Sequence, residues 1–422
     1  MITAYNTGNV YNAAATYWGL EEADNVKPTV IVEIDTLSDS FVLAEGDSDY
    51  GGSISYETVN TYNTTVAANY DGLVEFRDIT AKVRSIDIRR GRGPLAFNQF
   101  EAGTLALELV DTDSEFLPSN TASIHYPRLT PMRPIRVRAQ WSGITFELFR
   151  GYLDSIDMTW YPGAEVATVT MQATDLFKVL NTIDTTVTGT TGDTPGTRVG
   201  AILDSFSFPA TLRTIDTGTV TLGAFTGNRQ TALAALQAVE RAESGAVYID
   251  GAGKVVFRDR TDAFPAGPST RTFSDTGTAG TVEYASIDVA LDDQLLYNRV
   301  AVTRTGGNEQ VATDTTSVET YQRRTLQVSD VPLEDDTQAA TLASFLLAKR
   351  KNPGLRVQEI GIKTYKNLQS TGAALVVDLL DVINVVRSAP SSTFQDDLVV
   401  SGITHRITAD DWETSFTTQH QA

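Results

Sequence analysis

The chain has 422 residues, 41% hydrophobic and 20% charged, with no cysteine and a formal net charge of −20. At roughly 150 residues per domain this is about three domains' worth of chain, enough to bury several cores. Without thiols there can be no disulfide, thiolate nucleophile, cysteine-ligated zinc or iron–sulfur cluster, and the acidic balance rules out a whole-chain basic footprint for nucleic acid.

Residues 1–26 hold no Lys or Arg and no apolar stretch, so they read as an N-terminal arm rather than a secretory signal. Val30–Ile34 is a short apolar-rich strand after Pro28. A loop excursion over 37–75 follows, rich in Gly, Ser, Asn, Thr and Asp. Strands are expected at Ile79–Ile88, Thr104–Leu109, Ile135–Ala139, Phe146–Ile156 and Val166–Met171, where apolar and polar residues alternate. Asp175 can cap a short helix carrying Leu176, Phe177, Val179 and Leu180. These elements make one β unit over 27–183.

The spacing of Val199, Ile202, Leu203 and Phe206 predicts a second helix. A longer one runs from about Gln230 to Glu243 with Gly245 as its stop. Val247–Ile249 and Val255–Phe257 flank a Gly251-Ala252-Gly253 turn and predict a hairpin. Residues 190–280 therefore read as a small α+β accessory domain. A second β unit spans 284–420, with Leu296–Val302 as its surest strand and a helical insertion at about 312–354. Within that insertion Asp336 is expected to cap a helix that Asn352-Pro353-Gly354 ends. Later strands are expected at Gln358–Lys363, Val382–Val386, Leu398–Ile407 and Thr414–Thr418.

The two β units share an order of features. Gly151-Tyr152-Leu153-Asp154-Ser155-Ile156 precedes Trp160 and a Thr-rich strand, and Gly402-Ile403-Thr404-His405-Arg406-Ile407 precedes Trp412 and another. Each follows a pair of alternating strands. This suggests two copies of one β-barrel; two unrelated meanders of chance similarity are the alternative.

Few residues point to chemistry. The pairs Asp292-Asp293, Asp335-Asp336, Asp396-Asp397 and Asp410-Asp411 fit turns and caps better than a glycosidase dyad. Asp47–Thr58 resembles a calcium loop but has Gly51 at a ligand position and Thr58 where a bidentate Glu is needed. Gly251–Lys254 lacks the remaining residues of a phosphate loop. His125, His405 and His420 lie far apart in sequence. No catalytic residue, metal or cofactor is therefore assigned, and the chain is not expected to be an enzyme. No run of 18 apolar residues suits a membrane span, and no stable membrane anchoring is expected. The one dense basic cluster is Arg89-Arg90-Gly91-Arg92. It could grip phosphates, but in so acidic a chain an acidic patch on a neighbouring protein or subunit suits it better. Arg89, Arg90 and Arg92 are thus candidate partner contacts.

The series Val83–Arg92, Phe100–Leu109, Phe116–Asn120, Pro131–Val137, Phe149–Tyr152, Ala232–Leu236, Val247–Gly251, Val256–Arg260 and Asn298–Val300 resembles the minor tail proteins that form the central baseplate hub of long-tailed bacteriophages. The order of these pieces over about 75–420 carries the resemblance more than any one of them. It implies a mainly β chain with α+β insertions: two tail-tube-like β-barrel or sandwich domains, a small accessory domain and an inserted helix. It implies a homotrimer whose six barrels match a sixfold tube. The implied partners are the distal tail protein and tail tube, the tape-measure protein, and tail fibres or receptor-binding proteins. The implied place is the distal end of the virion's tail, after assembly in the host cytoplasm. DNA would pass through without specific binding, past carboxylates that repel its phosphates. A hexameric distal tail protein, with one barrel per chain, and a carbohydrate-binding adhesin using Trp141 or Trp160 are the alternatives.

Overall fold

A computed structural model describes residues 27–36, 76–93, 99–160, 166–224, 229–278, 280–388 and 393–420. The arm 1–26, the excursion 37–75 and its calcium-like loop lie outside the described residues.

The strands described in the first part of the chain are β1 (Thr29–Asp35), β2 (Phe76–Asp78), β3 (Val83–Gly91), β4 (Glu101–Asp111), β5 (Pro134–Trp141), β6 (Ile144–Trp160) and β7 (Ala167–Thr174). Alternation sets their faces. Leu105, Leu107 and Leu109 of β4 are buried between exposed or half-buried neighbours. Thr80–Lys82 forms a 3-10 turn rather than the start of a strand, closed by the Lys82 N–H donating to Ile79 O at 3.0 Å. The Thr80 hydroxyl ties the turn to β1 by accepting the Val32 amide at 2.8 Å.

A mixed segment follows: α1 (Phe177–Leu180), β8 (Asp184–Thr185), α2 (Pro195–Asp204), β9 (Arg213–Ile215), β10 (Gln230–Thr231), α3 (Ala232–Glu243), β11 (Ala246–Ile249), β12 (Val255–Arg258) and α4 (Arg260–Ala263). In α3 the Thr231 hydroxyl accepts the Ala234 amide as N-cap, and Ala232, Ala235, Leu236 and Val239 make the buried face. The left-handed stop is Ser244, at φ 57°, not Gly245. Gly245 is needed for a different reason: a Cβ there would stand 2.2 Å from the Arg258 carbonyl oxygen.

The rest comprises β13 (Arg271–Ser274), β14 (Val282–Glu283), β15 (Ser286–Leu291), β16 (Arg299–Arg304), β17 (Glu309–Thr313), α5 (Thr315–Tyr321), β18 (Thr325–Val331), α6 (Asp336–Arg350), β19 (Leu355–Lys363), α7 (Leu368–Val376), β20 (Val382–Ser388), β21 (Thr393–Thr408) and β22 (Trp412–His420). Asp335, not Asp336, caps α6 by accepting the Gln338 amide; Asp336 instead takes Arg304 at 2.7 Å. The strand at 299–304 does not belong to the large sheet. It pairs with β17 and β18, and Val300 and Val302 share a core with Leu342 and Leu346 of α6 and with Leu236 and Val239 of α3. The excursion from the second β unit is therefore wider than 312–354, and it joins the helical body.

Among the described residues fourteen strands form one continuous sheet in two like halves. The first runs β3-β4-β7-β6-β5-β1-β2 and the second β15-β19-β22-β21-β20-β13-β14, and β3 on β21 joins them. Five strands match in order: β3, β4, β7, β6, β5 with β15, β19, β22, β21, β20. Each long hairpin has a bulge, at Asp154 between β6 and β7 and at Ser401 between β21 and β22. Aligning the bulges sets Gly402 against Ser155, four residues from the Gly151 that the spacing suggested. It also sets Ile407, not Trp412, against Trp160.

The turns before β5 and β20 match in backbone detail. Met132 and Leu380 sit at φ 69° and 70°. Met132 N–H donates to Leu153 O at 2.7 Å and Leu380 N–H to Val400 O at 2.8 Å. A left-handed non-glycine residue is uncommon, and here it recurs at the same place with the same bond. Neither half closes into a barrel among the described residues. The edge of β3 that would meet β2 in a closed ring is occupied by β21 instead.

Candidate functional site

The junction of the halves brings together more of the singled-out residues than any other place. In β3 the side chains of Ile86, Ile88 and Arg90 point inward and Asp87 and Arg89 outward. In β21 the inward set is Ile403, His405 and Ile407, each under 5% exposed. The strands run antiparallel with Ile86 opposite Ile407, Ile88 opposite His405 and Gly91 opposite Gly402. Gly91 has φ 103°, and a Cβ on it would meet Ser401 O at 2.4 Å and Gly402 Cα at 2.6 Å, so two glycines are what let the strands touch there. On the outer face Arg406 and Asp87 approach to 3.5 Å, both largely exposed, a pair of little energetic weight.

The tip of the β21–β22 hairpin inserts into the core of the first half. Ile407 and Trp412 cluster there with Ile86, Leu107 and Met171, and Trp412 is fully buried. Its indole Nε1 donates to His405 Nδ1 at 3.3 Å, and the Thr414 hydroxyl lies 3.1 Å from the same nitrogen. Nδ1 is therefore an acceptor, which puts the imidazole proton on Nε2. Burial, with Arg90 nearby, pushes the His405 pKa down to about 3, so the ring is neutral.

The three candidate arginines divide by the strand's alternation. Arg89 is exposed and pairs with Glu101 at 3.3 Å. Arg90 is buried and donates to Asp378 of the second half at 2.9 Å. Arg92 is buried too; it donates to Gln419 Oε1 at 2.9 Å and lies 4.8 Å over the Phe100 ring. Burial lowers the Arg92 pKa to about 10, against the opposing pull of Glu240. Glu240 is itself pushed up to about 8 by burial and accepts the Val247 amide at 2.9 Å. Arg90 and Arg92 thus act inside the chain as ties between its parts, and only Arg89 presents its charge outward. The pattern Ile86, Ile88, Arg90 already held that signal, because every second residue of β3 faces in.

The paired acids serve structure. Asp292 pairs with Arg356 and Asp293 with Arg324; Asp396 lies 2.9 Å from His420 Nδ1, and Asp411 lies 2.8 Å from Lys363 Nζ. Gly251–Lys254 is the turn between β11 and β12. Trp141 is buried and Trp160 half exposed, so these two do not form a shared aromatic face. Among the described residues no three His, Asp or Glu side chains are grouped as metal ligands, and no helix is long and apolar enough to cross a membrane.

This fold, a two-part open sheet with a mixed α/β body packed on it, is similar to that of solved phage and prophage tail proteins. Two solved structures share it. The chain is similar to a tail protein from Neisseria meningitidis MC58, with 13% identity, 82% of this chain and 93% of that one covered, and a TM-score of 0.57. It is similar also to the 43 kDa tail protein of prophage MuSo2 from Shewanella oneidensis, with 12% identity, 82% and 96% covered, and a TM-score of 0.54. No protein-family profile matches the sequence. No curated protein matches it significantly.

Proposed function

We propose that the chain is a structural, non-enzymatic component of a phage-type tail: a hub at the distal tip that closes or extends the tail tube. The observation that carries this reading is the presence of two like halves in one chain. Three copies then offer six near-equivalent units, which can match a sixfold tube without six identical subunits. The first tube-like unit is residues 27–183; the second is drawn from 284–420 together with β13 and β14, and the α+β body, which takes in β16–β18 and α6, is the natural docking surface for other tail proteins.

In this role the hub receives the end of the tape-measure protein and docks fibre or receptor-binding proteins. Part of the −20 charge faces the channel, where carboxylates let DNA slide past without the counterion release that Lys and Arg would give. Exposed Arg89 is the member of the basic cluster left to meet a neighbour.

A symmetry-resolved electron-microscopy map of the tail end, with this chain fitted, tests the proposal. Three copies with both halves in one ring are expected. Six copies with one half each in the ring would make it a distal tail protein. No copy in the tail would overturn the reading.

A further inference from the structure

The intrachain junction has two unused counterparts. By the matched strands, β15 corresponds to β3 and the second part of β6 to the second part of β21. The sequences agree at the first pair: Ser85-Ile86-Asp87 aligns with Ser286-Ile287-Asp288, opposite Ala106 and Glu359 in the same register. Yet β15 pairs only with β19, and β6 beyond Tyr152 pairs only with β7, among the described residues. Each therefore has one open edge.

Those edges are apolar where the used ones are buried. Ile86 and Ile88 of β3 are 5% and 0% exposed; Val289, the counterpart of Ile88, is 44% exposed, and Leu291, the counterpart of Arg90, is 71% exposed. Leu355, paired with Leu291, is also exposed. On β6, Ile156 and Met158 are half-buried and Trp160 is 50% exposed, where Ile403, His405 and Ile407 are covered in β21. An apolar, unpaired strand edge invites another strand.

We propose that β15 of one copy pairs antiparallel with residues 156–160 of β6 in a second copy, in the register of β3 on β21. Ile287 then stands opposite Trp160, Val289 opposite Met158 and Leu291 opposite Ile156. All three inward pairs are apolar, whereas the intrachain ladder carries His405 and Arg90 in its inward set. The hairpin tip bearing Trp160 enters the neighbour's second half as the β21–β22 tip enters the first half of its own chain. The ladder ends at Leu291, because Asp292 and Ser155 stand where the glycines Gly91 and Gly402 allow close approach. The occupant is a second copy because the chain already holds a worked example of this joint. The pairing rests on the hub reading only for the number of copies that close the ring.

The absence of native cysteine makes disulfide trapping a clean test. Full-length Val289→Cys and Met158→Cys chains are mixed and oxidised, alongside Val289→Cys with Thr159→Cys, whose side chain faces the other side of the sheet. The in-register pair is expected to cross-link at least tenfold more than the control. Val289→Lys replaces an exposed side chain, and in a Val289→Lys, Leu291→Cys chain the yield with Ile156→Cys is expected to fall tenfold with the thermal midpoint unchanged. Equal yields in both registers, or a chain that neither cross-links nor associates at 100-fold molar range of concentration, overturn the pairing. Failure is separable from that of the hub reading. In-register rings missing from tails would sink the hub and keep the joint, and three copies in a tail joined elsewhere would do the reverse.

Discussion

The two long hairpins, β6–β7 and β21–β22, are built to one plan and meet different surroundings. Each has a bulge near its middle and a left-handed turn feeding its partner strand. The tip of one is sealed in the other half's core around Trp412; the tip of the other presents Trp160 half exposed. Burial at a hairpin tip is thus decided by the neighbour and not by the hairpin's own sequence. An apolar tip left open is a statement about what is missing from a single chain.

The sharpest way to break this comparison is to truncate both tryptophans. Trp412→Ala is expected to lower unfolding free energy by about 3–5 kcal/mol, as large-to-small core changes do. Trp160→Ala should stay within about 0.5 kcal/mol in the isolated chain, measured by urea unfolding. Equal costs would erase the distinction.

Next in size is the tie between halves. Asp378→Ala leaves the buried Arg90 head group without its carboxylate. A loss of about 2 kcal/mol is expected for a charge-assisted bond, again read by denaturant unfolding. Glu101→Ala, which removes the exposed partner of Arg89, should cost under about 0.5 kcal/mol.

Acid sharpens the comparison through His405. Its folded pKa is about 3, below the ordinary value of 6.5, so the unfolded chain binds a proton that the folded chain refuses. Stability from this group is full above pH 6.5 and falls as pH drops toward 3. The slope is at most about 1.4 kcal/mol per pH unit. His405→Phe should lack that component, seen as a shallower stability profile over that window. Its counterpart Met158 has no titration, so Met158→Phe should leave the profile's shape unchanged.

The smallest effect separates the two left-handed turns. Met132→Gly and Leu380→Gly both relieve the positive φ, a gain of about 1 kcal/mol before side-chain loss. Leu380 is buried and Met132 only half so, and the Leu380 variant should come out about 1 kcal/mol less stable of the two.

Much of the sheet was legible because β4, β5 and β7 alternate cleanly, and α3 was legible from its apolar spacing and cap. The repeat was visible in kind but displaced in register. The glycine and the tryptophan sit at different places along the two hairpins, so matching Gly151 to Gly402 and Trp160 to Trp412 puts the frame four or five residues off the one the matched bulges set. The Ser-Ile-Asp match at 85–87 and 286–288 would have fixed it. Strand β16 looked like sheet core because Val300 and Val302 are buried; burial does not say in which core. Helix α7 has a readable start, Asn367 accepting the Ser370 amide, but its small and β-branched residues give no clear stripe. For the arginines, charge drew attention to the surface while alternation pointed inward, and alternation was the better guide.

Strand β21 belongs to both halves at once. It holds β20 along its first stretch, β3 along its last, and β22 from Leu398 to Ile407. A relative slide of the halves would have to shear that whole ladder together, whereas an edge between separate copies can peel one bond at a time. The chain is therefore stiff within itself and compliant at its borders, and motion in anything built from it concentrates at the seams.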